Sequence, residues 1–117
     1  MVLAGLRSSS VGEVAYLTLG GPSIETSVLY FHLRADGTVG LVSATGDWQS
    51  GPYEANAWIH VAIDIDWAYQ TSELVLDGQQ MASDVAFASS GAKTADELHI
   101  FSFEHGTVWW DDIVVRL

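Results

Sequence analysis

The chain has 117 residues, enough for one domain that removes about two-thirds of its unfolded surface from water. It contains no cysteine, which excludes a disulfide framework and thiolate chemistry. Fifteen acidic residues against four Lys and Arg give a formal net charge of −11, which disfavours nucleic acid and anionic membranes as partners. We therefore expect a single domain over residues 1–117 that binds neither.

Short strand-like segments follow one another along the whole chain, separated by Gly, Pro, Asn and Asp turns. In chain order, strands are predicted over residues 2–7, 14–19, 26–35, 38–44, 58–66, 73–77, 80–87, 97–103 and 108–117. Residues 45–56 are predicted to form a loop. No helical period interrupts the series, so the pattern indicates an all-β antiparallel sandwich or barrel.

The segment 58–66 has the clearest pattern, because β-branched residues alternate with polar and aromatic ones over its whole length. Similar alternation in 26–35 and 73–77 defines one core-facing wall for each strand. The predicted core contains Leu29, Phe31, Leu33, Ile59, Val61, Ile63, Ile65, Leu74, Leu76, Ile113 and Val115.

Two Asp-Gly pairs predict tight hairpins, since glycine adopts the positive φ that such turns need. Asp36-Gly37 joins the segments 26–35 and 38–44, and Asp77-Gly78 ends the segment 73–77. In the last strand, simple alternation places Trp109, Ile113 and Val115 on one wall and Trp110, Asp112 and Val114 on the other.

From residue 26 to residue 115 the order of motifs resembles the concanavalin A-like lectin/glucanase superfamily, in particular its laminin G-like modules. The motifs that carry the resemblance are the Asp-Gly hairpin, a Trp-bearing loop, W-x-H-V-x-I-D-x-D, L-x-L-D-G and W-x-D-D-I-x-V. The resemblance implies a two-sheet antiparallel jelly roll that binds glycans, often holds structural Ca²⁺ and occurs beside catalytic domains in extracellular or cell-surface proteins.

Asp64 and Asp66 superficially match the acids of the glucanases in that superfamily, which place three acids at alternating positions. The third position is Ala68, so the outer acid of the catalytic pair is missing. An aspartate that accepts turn amides is the better interpretation of Asp66. Likewise His32, His60 and His99 lack metal-ligand spacing, and we expect neither zinc nor catalysis.

Large rings in segments predicted to be loops are the strongest indication of binding. Trp48 and Tyr53 lie in one such segment, and Trp67 and Tyr69 lie in another. Aromatic faces stack on sugars, and neighbouring carboxylates and amides meet their hydroxyls. The predicted ligand-binding residues are Asp47, Trp48, Gln49, Tyr53, Trp67, Tyr69 and Gln70. The alternative is that Trp48 and Trp67 are lids on the ends of the sandwich.

Asp111 and Asp112 are adjacent carboxylates in the last strand, and hard oxygen ligands suit Ca²⁺. They are the predicted ligands of a structural calcium ion.

The function predicted from these residues is that of a non-catalytic carbohydrate-binding, lectin-like accessory module. A second interpretation is a structural or protein-interaction domain that pairs through a sheet edge or face with an adjoining domain or a second copy. A third is a degenerate glycanase.

Overall fold

The computed structural model describes residues 1–12, 15–21, 24–44, 46–89, 95–102 and 107–116, without the side chains of residues 24 and 47–51. The predicted strand ends at Val14, Phe103 and Leu117 lie outside these residues.

Ten strands and a single 3₁₀ turn make up the described secondary structure. The 3₁₀ turn is Ile24–Thr26, and the strands are β1 Val2–Ser8, β2 Ala15–Leu19, β3 Leu29–Leu33, β4 Thr38–Ser43, β5 Gly46–Pro52, β6 Ile59–Asp66, β7 Thr71–Leu76, β8 Gln79–Ala86, β9 Leu98–Ser102 and β10 Val108–Val115. In the described part of the chain, no helix has the length and apolar character needed to cross a membrane.

The strands form two five-stranded antiparallel sheets. Sheet A has the order β10-β1-β6-β7-β8, and sheet B has the order β5-β4-β3-β2-β9. The first and last strands are therefore neighbours, and four consecutive strands occupy sheet B before the chain crosses to sheet A. The predicted all-β, two-sheet sandwich is confirmed.

The core lies between the sheets and follows the period-2 walls of the central strands. Ile59, Val61 and Ile63 of β6 are 9%, 4% and 1% exposed, while His60 and Asp64 are exposed. The predicted walls of β3 and β7 are also correct, with Leu74 completely buried. Ile65, Leu76 and Val115 are partly buried against this core. Ile113 is half-buried and does not join the cluster of core residues.

The predicted loop over residues 45–56 was wrong, because Gly46–Pro52 forms strand β5. It pairs with β4 in a register that places Trp48 opposite Leu41 and Asp47 opposite Val42. Glycine and proline at residues 46, 51 and 52 hide this strand from a propensity argument. Pairing with β4 supplies the stability that local propensity does not.

The predicted walls of the last strand were also wrong, because β10 contains a β-bulge. The register with β1 shifts between Leu3 and Gly5, and Asp112 has φ 50°. One extra residue reverses the alternation beyond the bulge. Trp110 and Val115 consequently pack against the core, whereas Trp109 is 38% exposed and faces outward.

Both Asp-Gly turns have the predicted positive φ. Asp77 and Gly78 have φ 50° and 81°, and the Asp77 carboxylate accepts a hydrogen bond from His60 N at 2.9 Å. Gly37 has φ 84°. Beside it, Asp36 Oδ1 accepts hydrogen bonds from Thr38 Oγ1 at 2.6 Å and from Thr38 N at 3.1 Å.

Thr38→Val is expected to raise the pKa of Asp36 toward its ordinary value. The pKa of Asp36 lies below that value, and the main cause is the hydrogen bond that the Thr38 hydroxyl donates to the carboxylate. A depressed folded-state pKa stabilises the fold above the unfolded pKa near 4, and this contribution is lost as the pH falls through the folded pKa. NMR titration of Asp36 in both proteins measures the change. An identical pKa in the variant would contradict the assigned cause.

Candidate functional site

One carboxylate organises the turn between β6 and β7. Asp66 Oδ1 accepts hydrogen bonds from the backbone N–H groups of Ala68 at 3.0 Å and Tyr69 at 3.1 Å. Gln70 completes the turn with φ 55°, and its carbonyl oxygen accepts a hydrogen bond from Phe87 N at 3.1 Å. The structure thus confirms the turn-capping role predicted for Asp66.

The ring of Trp67 is divided between core and solvent. It meets Phe87 edge-on, with 5.5 Å between ring centroids and an interplanar angle of 80°. Phe87 is 1% exposed, whereas Trp67 is 38% exposed and Tyr69 is 81% exposed. Trp67 therefore packs on one end of the core and still has ring surface exposed to solvent. Tyr69 is almost entirely in solvent.

A cleft of about 420 Å³ opens beside this ring on the outer face of sheet A. We call it the Trp67 cleft, and it is defined by Trp67 with the acidic residues Asp64, Asp66, Glu73 and Asp84. Thr71 and Ser83 also line it and bring hydroxyl groups to its walls. No lysine, arginine or histidine is among the described residues that line it.

Strand register explains why four carboxylates meet here. Asp64 lies directly opposite Glu73 across the β6–β7 pair, and outward-facing neighbours in such a pair have Cβ atoms about 5 Å apart. Asp84 comes from β8, where the register with β7 shifts and Asp84 itself has φ 54°. A bulge of this kind turns a side chain out of the simple alternation. The cleft therefore combines acceptors from three strands with one aromatic face.

Of the seven predicted ligand-binding residues, Trp67 alone is among the described residues that line this cleft. Tyr69 and Gln70 belong to the adjoining turn. Asp47, Trp48 and Gln49 lie on strand β5 instead of a loop, and their side chains are outside the described part of the structure.

The prediction that Tyr53 is a ligand-binding residue is corrected by its burial. It is 7% exposed and belongs to the core, and its hydroxyl oxygen accepts a hydrogen bond from Gly12 N at 2.9 Å. A ring buried in this way has no face for a sugar. Its hydroxyl group gives the backbone N–H of Gly12 a hydrogen-bond acceptor, which is a structural role.

Tyr53 and Trp67 also lie at opposite ends of β4. Tyr53 N donates to the carbonyl oxygen of Gly37, just before β4, at 3.4 Å. Ala44, just after β4, donates its N–H to the carbonyl oxygen of Phe87, on which Trp67 packs. Tyr53 and Trp67 thus do not belong to one site.

A second group of rings, on the outer face of sheet B, was not predicted as a site. Tyr16 stacks on Tyr30 with centroids 5.0 Å apart and on Phe101 at 4.7 Å. The pKa of Tyr30 is raised, mainly by burial and to a smaller extent by the nearby Tyr16. Because these rings cover each other's faces, the row presents mainly ring edges to solvent. It is less suited than the Trp67 cleft to stacking on a sugar.

A third aromatic group holds a cation. The guanidinium carbon of Arg7 lies 4.3 Å from the ring centroid of Trp109 and 5.8 Å from that of Trp58. Register places Arg7 opposite Trp109 on the outer face of sheet A. Cation–π contacts of this kind occupy one face of each ring, Trp58 and Trp109.

Asp111 and Asp112 form the β10 bulge, and Asp111 Oδ1 accepts a hydrogen bond from Asp112 N at 2.8 Å. No group of three or more His, Asp or Glu side chains suited to a metal ion occurs among the described residues. The predicted calcium site therefore stays a prediction. A bound ion would raise the melting temperature by about ten degrees at a hundredfold excess over Kd, and EDTA would reverse this shift.

Asp112→Gly is expected to maintain or raise the free energy of unfolding, because glycine adopts φ 50° without strain. Asp112→Val should lower it by about 1 to 2 kcal/mol, since a β-branched residue disfavours this conformation. Urea midpoints of both variants measure the difference. A valine variant as stable as the glycine variant would contradict the assigned bulge.

The chain matches no protein-family model and no curated protein. It is similar in structure to part of a solved protein titled "Sialidase", with a TM-score of 0.70 and 15% sequence identity. The match covers 91% of this chain and 10% of that protein. At this identity the similarity shows the sandwich fold alone, and the chain spans about a tenth of the protein it resembles.

Proposed function

We propose that this domain is a non-catalytic glycan-binding module, a concanavalin A-like jelly roll of the laminin G-like type, and that it binds sugar in the Trp67 cleft. The observation that carries the proposal is a Trp ring with free surface at the mouth of a cleft lined by carboxylates and hydroxyl groups. An indole face provides apolar contact for the C–H side of a pyranose, and carboxylates accept hydrogen bonds from its hydroxyl groups.

The charge of the cleft favours neutral or amino sugars. Four carboxylates line it, no basic residue is among its described lining residues, and the chain carries a formal net charge of −11. A uronic acid or another anionic sugar would meet repulsion from all of these groups. An ammonium group on an amino sugar would instead form charge-assisted hydrogen bonds.

The cleft also contains the acids on which a degenerate glycanase would depend. Asp64 faces Glu73 across the strand pair, whereas the third position of the glucanase pattern, Ala68, lies in the turn with its N–H bonded to Asp66. Without an acid at that position, the alternating arrangement for double displacement is incomplete, and we propose binding without hydrolysis. Release of reducing ends from a bound oligosaccharide, lost in Asp64→Asn, would contradict this.

The family resemblance places such modules in secreted or cell-surface proteins, and we propose that location for this one. Isothermal titration against neutral, amino and acidic oligosaccharides tests the proposed function. We expect saturable binding to members of the first two classes and none to the acidic class. Binding that is confined to acidic glycans would contradict the proposed chemistry of the cleft.

A further inference from the structure

A two-sheet sandwich has four edge strands, and three of the four edges here carry features that discourage pairing with another chain. Strand β10 has a bulge with two adjacent aspartates, and β8 has two register shifts with Asp84 at positive φ. Strand β5 has a register shift and ends at Pro52. Bulges, charges and proline are the usual devices that keep sheet edges apart.

Strand β9 has none of these features. Its register with β2 is continuous from Leu98 to Ser102, and the strand contains no charged residue, glycine or proline. Leu98, Ile100 and Phe101 are 37%, 39% and 37% exposed. It is thus a regular, neutral and apolar edge on a protein whose acidic residues outnumber its Lys and Arg by fifteen to four.

The hydrogen-bond pattern shows which backbone groups of β9 are available. Gly20 N donates to the carbonyl oxygen of Glu97 at 2.8 Å, so Glu97 points its backbone groups toward β2. Antiparallel pairing alternates, and His99 and Phe101 therefore point toward β2 as well. The N–H and C=O groups of Leu98, Ile100 and Ser102 face the free edge, where no described strand pairs with them.

We infer that β9 pairs antiparallel with β9 of a second copy of this chain, about a two-fold axis at Ile100. In that register Ile100 meets Ile100 of the second copy, Leu98 meets Ser102, and His99 meets Phe101. The inward positions then join apolar to apolar or small side chains, and the outward positions join two aromatic rings, as His99 and Phe101 already do within one chain at 6.1 Å.

Charge selects this strand as the contact between copies. An isologous contact places an edge strand against a copy of itself, so an edge that carries charges of one sign would repel its copy. No such repulsion arises within β9, whereas β10 would bring its aspartate pairs together. The remaining repulsion between two acidic copies acts at long range and is screened by salt. Association should therefore strengthen as the salt concentration rises.

Sedimentation equilibrium of the 117-residue chain over a range of concentrations, at low and high NaCl, tests the inference. We expect a monomer–dimer equilibrium whose association constant rises with salt. Ile100→Pro removes an N–H that points away from β2 and should weaken association by about tenfold or more. His99→Pro removes a bond of the β2 ladder and serves as the control for damage to the fold.

Ile100→Lys provides a second variant with a matched control. Val114→Lys makes the same change in charge on edge strand β10, where Val114 is 36% exposed. We expect Ile100→Lys to abolish dimerisation and Val114→Lys to leave it in place, with unchanged circular dichroism in both. A parent that stays monomeric at high salt, an association constant that falls with salt, or an equal effect of both lysines would overturn the inference.

Discussion

Trp67→Ala is expected to weaken glycan binding by about tenfold to a hundredfold. Truncation removes the only aromatic side chain among the described residues that line the cleft, and burial of such a ring contributes about 1 to 3 kcal/mol to a complex. The free energy of unfolding should fall by only about 1 kcal/mol, because the ring lies at the end of the sandwich and is 38% exposed in the parent. Isothermal titration and urea midpoints of the variant measure the two effects separately.

Trp58→Ala is the matched control for this prediction. Trp58 is 44% exposed and precedes β6, whereas Trp67 follows β6, so the two rings lie at opposite ends of one strand. We expect the control to bind glycan like the parent. If both variants lost affinity equally, or if Trp67→Ala lost several kcal/mol of stability and no affinity, Trp67 would be a lid and not a binding residue.

Phe87→Ala is expected to lower the free energy of unfolding by about 3 to 5 kcal/mol. Phe87 is 1% exposed, and both its backbone N–H and its carbonyl oxygen bond to turns at the end of the sandwich. Such a loss is a large share of the about 5 to 15 kcal/mol that stabilises a domain. The melting temperature should fall by more than about 10 °C. Thermal and urea unfolding measure the change.

Phe101→Ala is the control for this effect, because Phe101 is 37% exposed on edge strand β9. Its removal should cost about 1 kcal/mol or less. Equal losses in the two variants would contradict the position of Phe87 in the core. Because Trp67 rests on Phe87, the alanine variant should also bind glycan more weakly at temperatures where it is still folded.

Local patterns in the sequence predicted the centre of the fold. The walls of β6 and the Asp77-Gly78 turn are correct because side-chain alternation and the conformational freedom of glycine are properties of a few adjacent residues. Strand β5 was missed because its stability comes from pairing with β4. The positions of Trp109 and Trp110 relative to Val115 were predicted wrongly because the bulge at Asp112 depends on the partner strand and leaves no period in the sequence.

The candidate site was predicted only where its residues are neighbours in sequence. Asp66 and Trp67 are adjacent, and the turn-capping role of Asp66 follows from its position at a strand end. Glu73 joins them through cross-strand register, and Asp84 joins them through a bulge in β8. Tyr53 was assigned wrongly because an exposed ring and a buried ring in a short segment between strands have the same local sequence signal.

An NMR titration of the amides and indole N–H groups with a neutral or amino-sugar oligosaccharide shows directly whether sugar binds in the Trp67 cleft. We expect the largest shifts on the Trp67 indole and on the backbone amides of Asp64, Glu73 and Asp84, with little change at Trp58 or β9. Shifts centred on the Tyr16 and Tyr30 ring row, or no shifts with any neutral or amino sugar, would contradict it.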